Sequence, residues 1–336
     1  MSYKRIVMTR FGDPDVLEIT DEAVLPEPQP GQVRVRVLAT SANFTDVMIR
    51  KGLYRDIKRQ PPFSPGYDMV GVVDALGDGA TRFRVGQKVA DLTVIGAYSE
   101  YICLPESRLV PMPDGVDPAD AVSLILSYVT AYQMLYRAAK VQKGQRILVH
   151  GAGGAVGTAL LQLGGVLGLD MYGTDVRTKH ELIKGLGAIP IDYQVQDFGK
   201  WILRVTARGL DAVFDPIGGE HFKLSFETLR SGGVLVAYGF YNVVSGRGGS
   251  IPLDLLRLQL WNLLPNGRRT VFYSIGKSRQ EHPDWFREDL VKLFDLLSQG
   301  SIKPVIGRRM PLAEARLAHQ LIEQAGVPGK IILMTG

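Results

Sequence analysis

Cysteine is almost missing from this chain. Of 336 residues only Cys103 carries a thiol, so no disulfide can form within the chain and no site built on several thiolates is possible. Long apolar runs are missing too. The longest uncharged stretch, 147–169, is interrupted by seven glycines and reads as strand, loop and helix rather than as a membrane span. Charge of one sign is nowhere concentrated: 39 basic and 34 acidic residues leave a net +5, with no cluster beyond pairs such as Arg268-Arg269 and Arg308-Arg309. A nucleic-acid stripe would gather its basic residues on one element, so no nucleic-acid partner is expected. The start of the chain has charges but no apolar core ahead of a small-residue cleavage site, and a cytoplasmic location is expected.

What is present fits a globular protein of about two domains. Hydrophobic residues make up 46%, charged residues 22%, and 38 glycines supply many turns. The first 110 or so residues alternate in the manner of β-strands. Val33, Val35 and Val37 are separated by Arg34 and Arg36, and further strands are expected at 70–76 and 88–92 between Pro- and Gly-rich turns. From about residue 118 the pattern becomes helical, and strands and helices then alternate. Strands are expected at 146–150, 170–174, 189–192, 210–214 and 233–237, with helices from 155, from 178, and near 197–207 and 221–229. Such alternation implies a parallel sheet covered on both faces. The tail predicts a helix at 285–297, a strand at 303–306, a helix at 312–324 and a strand at 330–334.

The sharpest local signal is the strand Ile147-Leu-Val-His150, the loop Gly151-Ala-Gly153-Gly154-Ala-Val156-Gly157, and an apolar helix. Glycines there allow a tight turn, close approach to a pyrophosphate and packing of helix on sheet, while the helix N-terminus offers free N–H groups to phosphate. The strand–loop–helix context makes this a dinucleotide site. After the second strand comes Thr174-Asp175-Val-Arg177-Thr-Lys179. Asp175 is placed to bond the ribose hydroxyls of NADH, whereas Arg177 and Lys179 suit the extra phosphate of NADPH; a third possibility is that Asp175 caps the helix from Thr178. His150 reads as a core histidine, and the other histidines lack partners at metal-ligand spacing.

Several further motifs carry a resemblance that spans nearly the whole chain. They are Ser41-Ala-Asn43-Phe-Thr-Asp46, Arg50-Lys-Gly-Leu-Tyr54, Pro65-Gly66-Tyr67-Asp68, Gly71-Val-Val-Asp-Ala-Leu-Gly77, Gly96-Ala-Tyr-Ser-Glu-Tyr101, Thr130-Ala-Tyr132, Asp215-Pro-Ile-Gly218 and Gly300-Ser-Ile-Lys-Pro304. With the glycine loop, they resemble the zinc-independent quinone oxidoreductase (zeta-crystallin-like) group of the medium-chain dehydrogenase/reductases, with features of the VAT-1-like branch around Pro216–Gly219 and Tyr238-Gly239-Phe240. The resemblance implies an α/β protein with a GroES-like β-barrel domain (1–126 and 275–336) and a Rossmann doubly wound parallel-sheet domain (127–274). It puts Asn43 and Tyr54 beside the nicotinamide as catalytic candidates, Thr130 near the nicotinamide amide, Tyr193 at the adenosine phosphate, and Tyr238 with Gly239 on the nicotinamide side. Each also has a plainer reading as a cap, a packing hydroxyl or a packing aromatic.

Zinc alcohol dehydrogenases have Cys where this chain has Asn43 and Gly-His-Glu where it has Gly66-Tyr67-Asp68, so no metal is expected. The expected activity is NADPH-dependent reduction of quinones or related conjugated carbonyls, with NADH as the alternative cofactor. Two other readings are a 2-enoyl-thioester reductase and a non-catalytic NADPH-binding, crystallin-like or vesicle-associated protein. A homodimer joined through the last strand of the cofactor sheet is expected, with the partner a small-molecule quinone or enone and no membrane span.

Overall fold

The structure, a computed structural model, describes residues 1–54 and 56–336. It divides into two compact units, Met1–Leu126 with Leu290–Gly336, and Ser127–Asp289.

The first unit is built on strands β1 (Tyr3–Met8), β2 (Leu17–Glu22), β3 (Gln32–Ala42), β4 (Met69–Leu76), β5 (Lys88–Asp91), β6 (Tyr101–Pro105) and β7 (Val110–Pro111). The returning tail adds β14 (Ile306–Pro311) and β15 (Lys330–Met334). β1 and β2 pair with each other; the rest form one seven-stranded sheet in the order β14-β15-β3-β4-β5-β7, with β6 also on β3. The long β3 organises it. Along one edge it takes β4, and along the other it takes β6 near its start and β15 near its end, all antiparallel. The alternation explains why: Val33, Val35 and Val37 are buried in a cluster with Met69, Val73, Phe83, Val89 and Leu104, while Arg34 and Arg36 lie outside it. The strand expected at 303–306 is displaced to Ile306–Pro311, because its partner β15 pairs Ile306 with Lys330 and runs on to Pro311 opposite Met334. Pro304 has no N–H to give to a ladder.

The second unit contains β8 (Arg146–His150), β9 (Asp170–Asp175), β10 (Ile189–Asp192), β11 (Leu210–Asp215), β12 (Leu229–Ala237) and β13 (Arg269–Phe272), ordered β10-β9-β8-β11-β12-β13. Every pairing is parallel. Read from β8 this is the 3-2-1-4-5-6 order of a doubly wound sheet, whose direction of winding reverses between β8 and β11. Leu148, Val213, Leu235, Phe222 and Ile202 fill the core between sheet and helices. The helix expected from Thr178 begins as a tight turn, Arg177–Lys179, before His180–Gly185. Three helices of this unit went unexpected: Tyr241–Val244, Ile251–Trp261 and Ile275–Glu281. The chain leaves this unit at 289 rather than at 274 because Ser278 Oγ and Tyr273 Oη both donate to Gln133 Oε1, at 2.7 and 2.8 Å, and Arg137 grips Asp289. Among the described residues no helix is long and apolar enough to cross a membrane.

Candidate functional site

At the reversal point of the parallel sheet, β8 runs into the glycine loop. Gly151 has φ +65°, the Gly154 N–H closes a turn onto Gly151 O at 2.9 Å, and the Ala152 N–H ties the loop to Thr174 O on β9. A Cβ at Gly157 would lie 2.2 Å from Gly151 O, so only glycine lets the helix come this close. That helix, Ala155–Leu167, starts at Gly154 with no side chain capping it. Its first-turn N–H groups, Val156 and Gly157 among them, therefore have no partner within the helix and carry the positive end of its dipole. The loop fits a dinucleotide pyrophosphate.

At the next strand end, Asp175 is buried and does not cap the helix that follows. Its Oδ2 accepts the Gly153 N–H at 2.9 Å and its Oδ1 accepts the Val176 N–H at 2.8 Å, with Lys179 Nζ 3.6 Å away. Lys179 is itself buried and its stem crosses Gly153, where a Cβ would meet it at 2.6 Å; Arg177 is exposed. The acid and Lys179 thus meet at one corner, but Asp175 is a loop anchor. Tyr193, half-exposed after β10, completes this corner. Its phenol is pushed up by burial and by Asp175, and drawn down by Arg247, which lies 5.5 Å from the Tyr241 ring. Arg247 escaped the sequence reading: nothing in Ser-Gly-Arg-Gly-Gly marks it as reaching another strand end.

Beneath the loop lies a polar network that histidine spacing could not reveal. His150, Asp215 and His221 bring their ligand-type atoms within 4.8 Å of one another, although no histidine has a partner at metal-ligand spacing in the sequence. Ser225 Oγ donates to Asp215 Oδ2 at 2.6 Å, His221 Nδ1 meets the same oxygen at 2.7 Å, and His150 is shared between Thr174 Oγ1 and Ser225 Oγ at 2.7 and 3.1 Å. With Ser225 donating to the acid, His150 Nε2–H donates to Ser225 and Nδ1 accepts from Thr174. Burial holds His150 neutral, down to about 3, and His221 holds Asp215 below the usual carboxylate range despite burial. Tyr238 and Gly239 follow β12 beside this network; the Tyr238 N–H donates to Asp215 O, and desolvation raises its half-buried phenol well above normal. Thr130 is buried on the helix Val129–Gln133, its hydroxyl against the Tyr273 phenol.

The first unit holds the other cluster. Asn43 opens the helix Phe44–Arg50, and its backbone N–H donates to Asp46 Oδ2 at 3.0 Å. Its side-chain NH₂ donates to Ser41 O and Asp46 Oδ2, and its Oδ1 accepts from Lys330 Nζ at 2.5 Å. Asn43 is 6% exposed, and these bonds use its amide, so the structure spends on scaffolding the group that the resemblance puts beside the nicotinamide. Asp68 accepts from Ser41 N–H and Oγ and lies 3.8 Å from Lys330 Nζ. Burial and the neighbouring Asp68 push Asp46 up to about 7. Burial also raises Asp68 and lowers Lys330. Lys330 went unremarked in the sequence, although a lone cation opening the apolar strand Lys330–Met334 is itself a signal.

Beside this cluster, Tyr54 Oη lies 2.6 Å from Tyr67 Oη with the rings edge to face. Tyr54 is pushed up to about 12, chiefly by burial, and Tyr67 is raised well above 10.

Known families match both units. The alcohol dehydrogenase GroES-like domain family covers residues 29–114, and the zinc-binding dehydrogenase family residues 186–333. A quinone oxidoreductase of Pseudomonas aeruginosa is 32% identical over 335 residues, which is 98% of this chain and 99% of that one. The chain belongs to the medium-chain dehydrogenase/reductases, in the quinone oxidoreductase group. Another relative in the group, the synaptic vesicle membrane protein VAT-1 homolog of Rattus norvegicus, is 33% identical over 344 residues, 98% of this chain and 84% of its own. A mycobacterial protein solved in complex with NADPH matches with a TM-score of 0.87 at 29% identity, over 99% of this chain and 100% of that one. The two units are the GroES-like and Rossmann domains of this superfamily.

Some of its dehydrogenases carry zinc, and the residues here do not fit that metal. Asn43, Tyr67 and Asp68 are poor or committed donors, and the ammonium of Lys330 already lies within bonding distance of Asn43 Oδ1. A second cation there would face Lys330 directly.

Proposed function

We propose that this protein is a zinc-independent, NADPH-dependent reductase of quinones and related conjugated carbonyl compounds, acting as a homodimer. The observation that carries this reading is the Lys330 ammonium seated between Asn43 and Asp68 where a metal would otherwise polarise an alcohol. Without that Lewis acid, the favoured acceptor is already electrophilic. NADPH supplies the hydride. The glycine loop and the uncapped helix from Ala155 hold its pyrophosphate, and Lys179, Tyr193 and Arg247 form the corner suited to the 2′-phosphate, with the exposed Arg177 as a further cation for it. Tyr54, protonated at neutral pH with its phenol at about 12, donates a hydrogen bond to the acceptor oxygen as charge builds there.

The second copy belongs on the β13 side. β13 is the outer strand of the sheet, and the adjacent helix Ile251–Trp261 leaves Leu253, Leu256 and Leu260 about half exposed, followed by Leu263 at 79%. An open edge beside a leucine face favours pairing of two identical edges about a two-fold axis.

The decisive experiment follows NADPH oxidation with a panel of quinones, enones and 2-enoyl thioesters. Turnover of quinones or enones supports the proposal. Activity confined to enoyl thioesters replaces it with the thioester reading, and tight NADPH binding without any turnover returns a non-catalytic role.

A further inference from the structure

We infer that Tyr67 is the positioning residue of the acceptor site: its buried phenol donates a hydrogen bond to the Tyr54 hydroxyl and so aims the remaining Tyr54 proton at the acceptor oxygen. This rests on the reading of Tyr54 as the donor in the proposed reductase.

The direction of the bond follows from what surrounds each oxygen. Tyr67 is 1% exposed, and the only side-chain hydrogen bond described for its hydroxyl is the 2.6 Å contact with Tyr54. If Tyr67 accepted, its own proton would be left without a partner in a buried site, which is the costly arrangement. When it donates instead, both needs are met. Tyr54 then keeps its proton for the more open side, where it hydrogen-bonds the exposed Asp56 carboxylate, which disfavours ionisation of the phenol, until an acceptor oxygen takes that place.

The backbone makes Tyr67 the fixed member of the pair. Gly66 has φ +106°, and a Cβ there would lie 2.4 Å from the Tyr98 N, so the segment is pinned against residues 97–98. Tyr67 O accepts the Val94 N–H at 3.0 Å and Gly66 O accepts Thr93 Oγ1 at 2.8 Å. Tyr54, by contrast, sits in irregular chain just after the turn that ends the helix Phe44–Arg50. The edge-to-face contact, 5.9 Å between centroids at 86°, orients the Tyr54 ring on the pinned Tyr67 ring.

The chemistry balances. For an enone, the hydride forms a C–H bond at the β-carbon, the electron pair moves onto the carbonyl oxygen, and Tyr54 donates to that oxygen. When the proton crosses, the Tyr54 phenolate is held by the bond from Tyr67 and is reprotonated from solvent on the Asp56 side. The sum is one hydride and one proton added to the acceptor. Phenolate stabilisation by a donated hydrogen bond is what Tyr67 contributes, and it is worth roughly ten- to a hundredfold in rate for a bond to a charged group.

The test compares Tyr67→Phe, Tyr54→Phe and the double variant in the whole protein, with an accepted quinone or enone. Tyr67→Phe removes one oxygen and keeps the ring, so its packing and melting temperature serve as the folding control. The expected result is a kcat about tenfold or more lower in Tyr67→Phe, with the acceptor KM and NADPH Kd within about twofold. The double variant should be no slower than Tyr54→Phe alone, because Tyr67 acts through Tyr54. A second readout needs no turnover. In protein labelled with fluorinated tyrosine, which titrates within the stable pH range, the Tyr54 resonance should titrate at higher pH once Tyr67 is Phe. A slow Tyr54→Phe beside a Tyr67→Phe of wild-type rate, strictly additive losses, or an unmoved Tyr54 titration would overturn the inference while leaving the donor reading intact. A fully active Tyr54→Phe overturns the donor reading itself, and the positioning role with it.

Discussion

Lys330 Nζ and Asn43 Oδ1 lie 2.5 Å apart although 287 residues separate them in the chain. The contact places a buried ammonium between β15 and the start of the helix Phe44–Arg50, with Asp68 on its other side. Two outcomes are expected. Elemental analysis should find no stoichiometric zinc in the purified protein, and a chelator should leave activity and melting temperature unchanged; one zinc held per chain would contradict this. Lys330→Met should lower unfolding stability by about 3–5 kcal/mol, since it strands the Asp68 carboxylate without its counter-ion. Urea unfolding measures the loss, and the paired variant Lys330→Met with Asp68→Asn should recover part of it.

The dimer proposal makes its own demand. If a second copy covers β13 and the leucine face, Leu260→Asp and Leu263→Asp should shift the sedimentation mass from dimer to monomer at micromolar concentration. NADPH binding, which depends on the other end of the sheet's helices, should persist. A wild-type protein that already sediments as a monomer would remove the second copy from the proposal.

Much of this was legible in the chain, and the reason is locality. The alternation Val33-Arg34-Val35-Arg36-Val37, the strand Arg146–His150 and the loop from Gly151 to Gly157 each encode their structure within a dozen residues, where period and glycine placement suffice. The helix Ile251–Trp261 was missed because leucines at 253, 255, 256, 258 and 260 satisfy period 2 nearly as well as period 3.6. What spacing could not supply is which distant side chains meet. Lys330 with Asn43, His221 with His150, and Arg247 with Tyr193 depend on the order of strands in their sheets, and strand order is a property of the whole core.

Stability should rise with pH across the mildly acidic range, for a reason that can be counted in protons. Burial holds His150 and His319 down to about 3, below the ordinary 6.5, so their contribution is present above 6.5 and fades as pH falls toward 3. Asp46 has the opposite sign: pushed up to about 7, its contribution is present below 3.8 and fades as pH rises toward 7. Between pH 5 and 6 the unfolded chain therefore binds two protons on the histidines, while the folded chain binds one on Asp46. The net is one proton, or about 1.4 kcal/mol per pH unit from these three groups. Asp46→Asn should steepen the measured slope of unfolding free energy by about one proton, and His319→Gln should flatten it by the same amount. Unchanged slopes in both variants would show that these groups titrate normally.

Cofactor choice turns on what Asp175 does with its carboxylate. One oxygen holds the Gly153 N–H and the other the Val176 N–H, with Lys179 alongside, so the acid serves the shape of the phosphate loop as well as any ribose. Removing the side chain and removing only its charge should then have different results. Asp175→Ala loses the anchor on Gly153 and should weaken NADPH and NADH alike. Asp175→Asn keeps an acceptor for Gly153 but removes the negative charge from this corner, and should tighten NADPH while weakening NADH. Arg177→Ala, exposed and remote from the loop hydrogen bonds, should weaken NADPH several- to tenfold and leave NADH unchanged, the scale of a solvent-accessible contact to phosphate. Calorimetric titration of the three variants with both cofactors measures each of these. Wild-type protein that prefers NADH, together with an Asp175→Asn variant that loses it without gaining NADPH, would make the carboxylate the reader of the ribose and reverse the proposed cofactor.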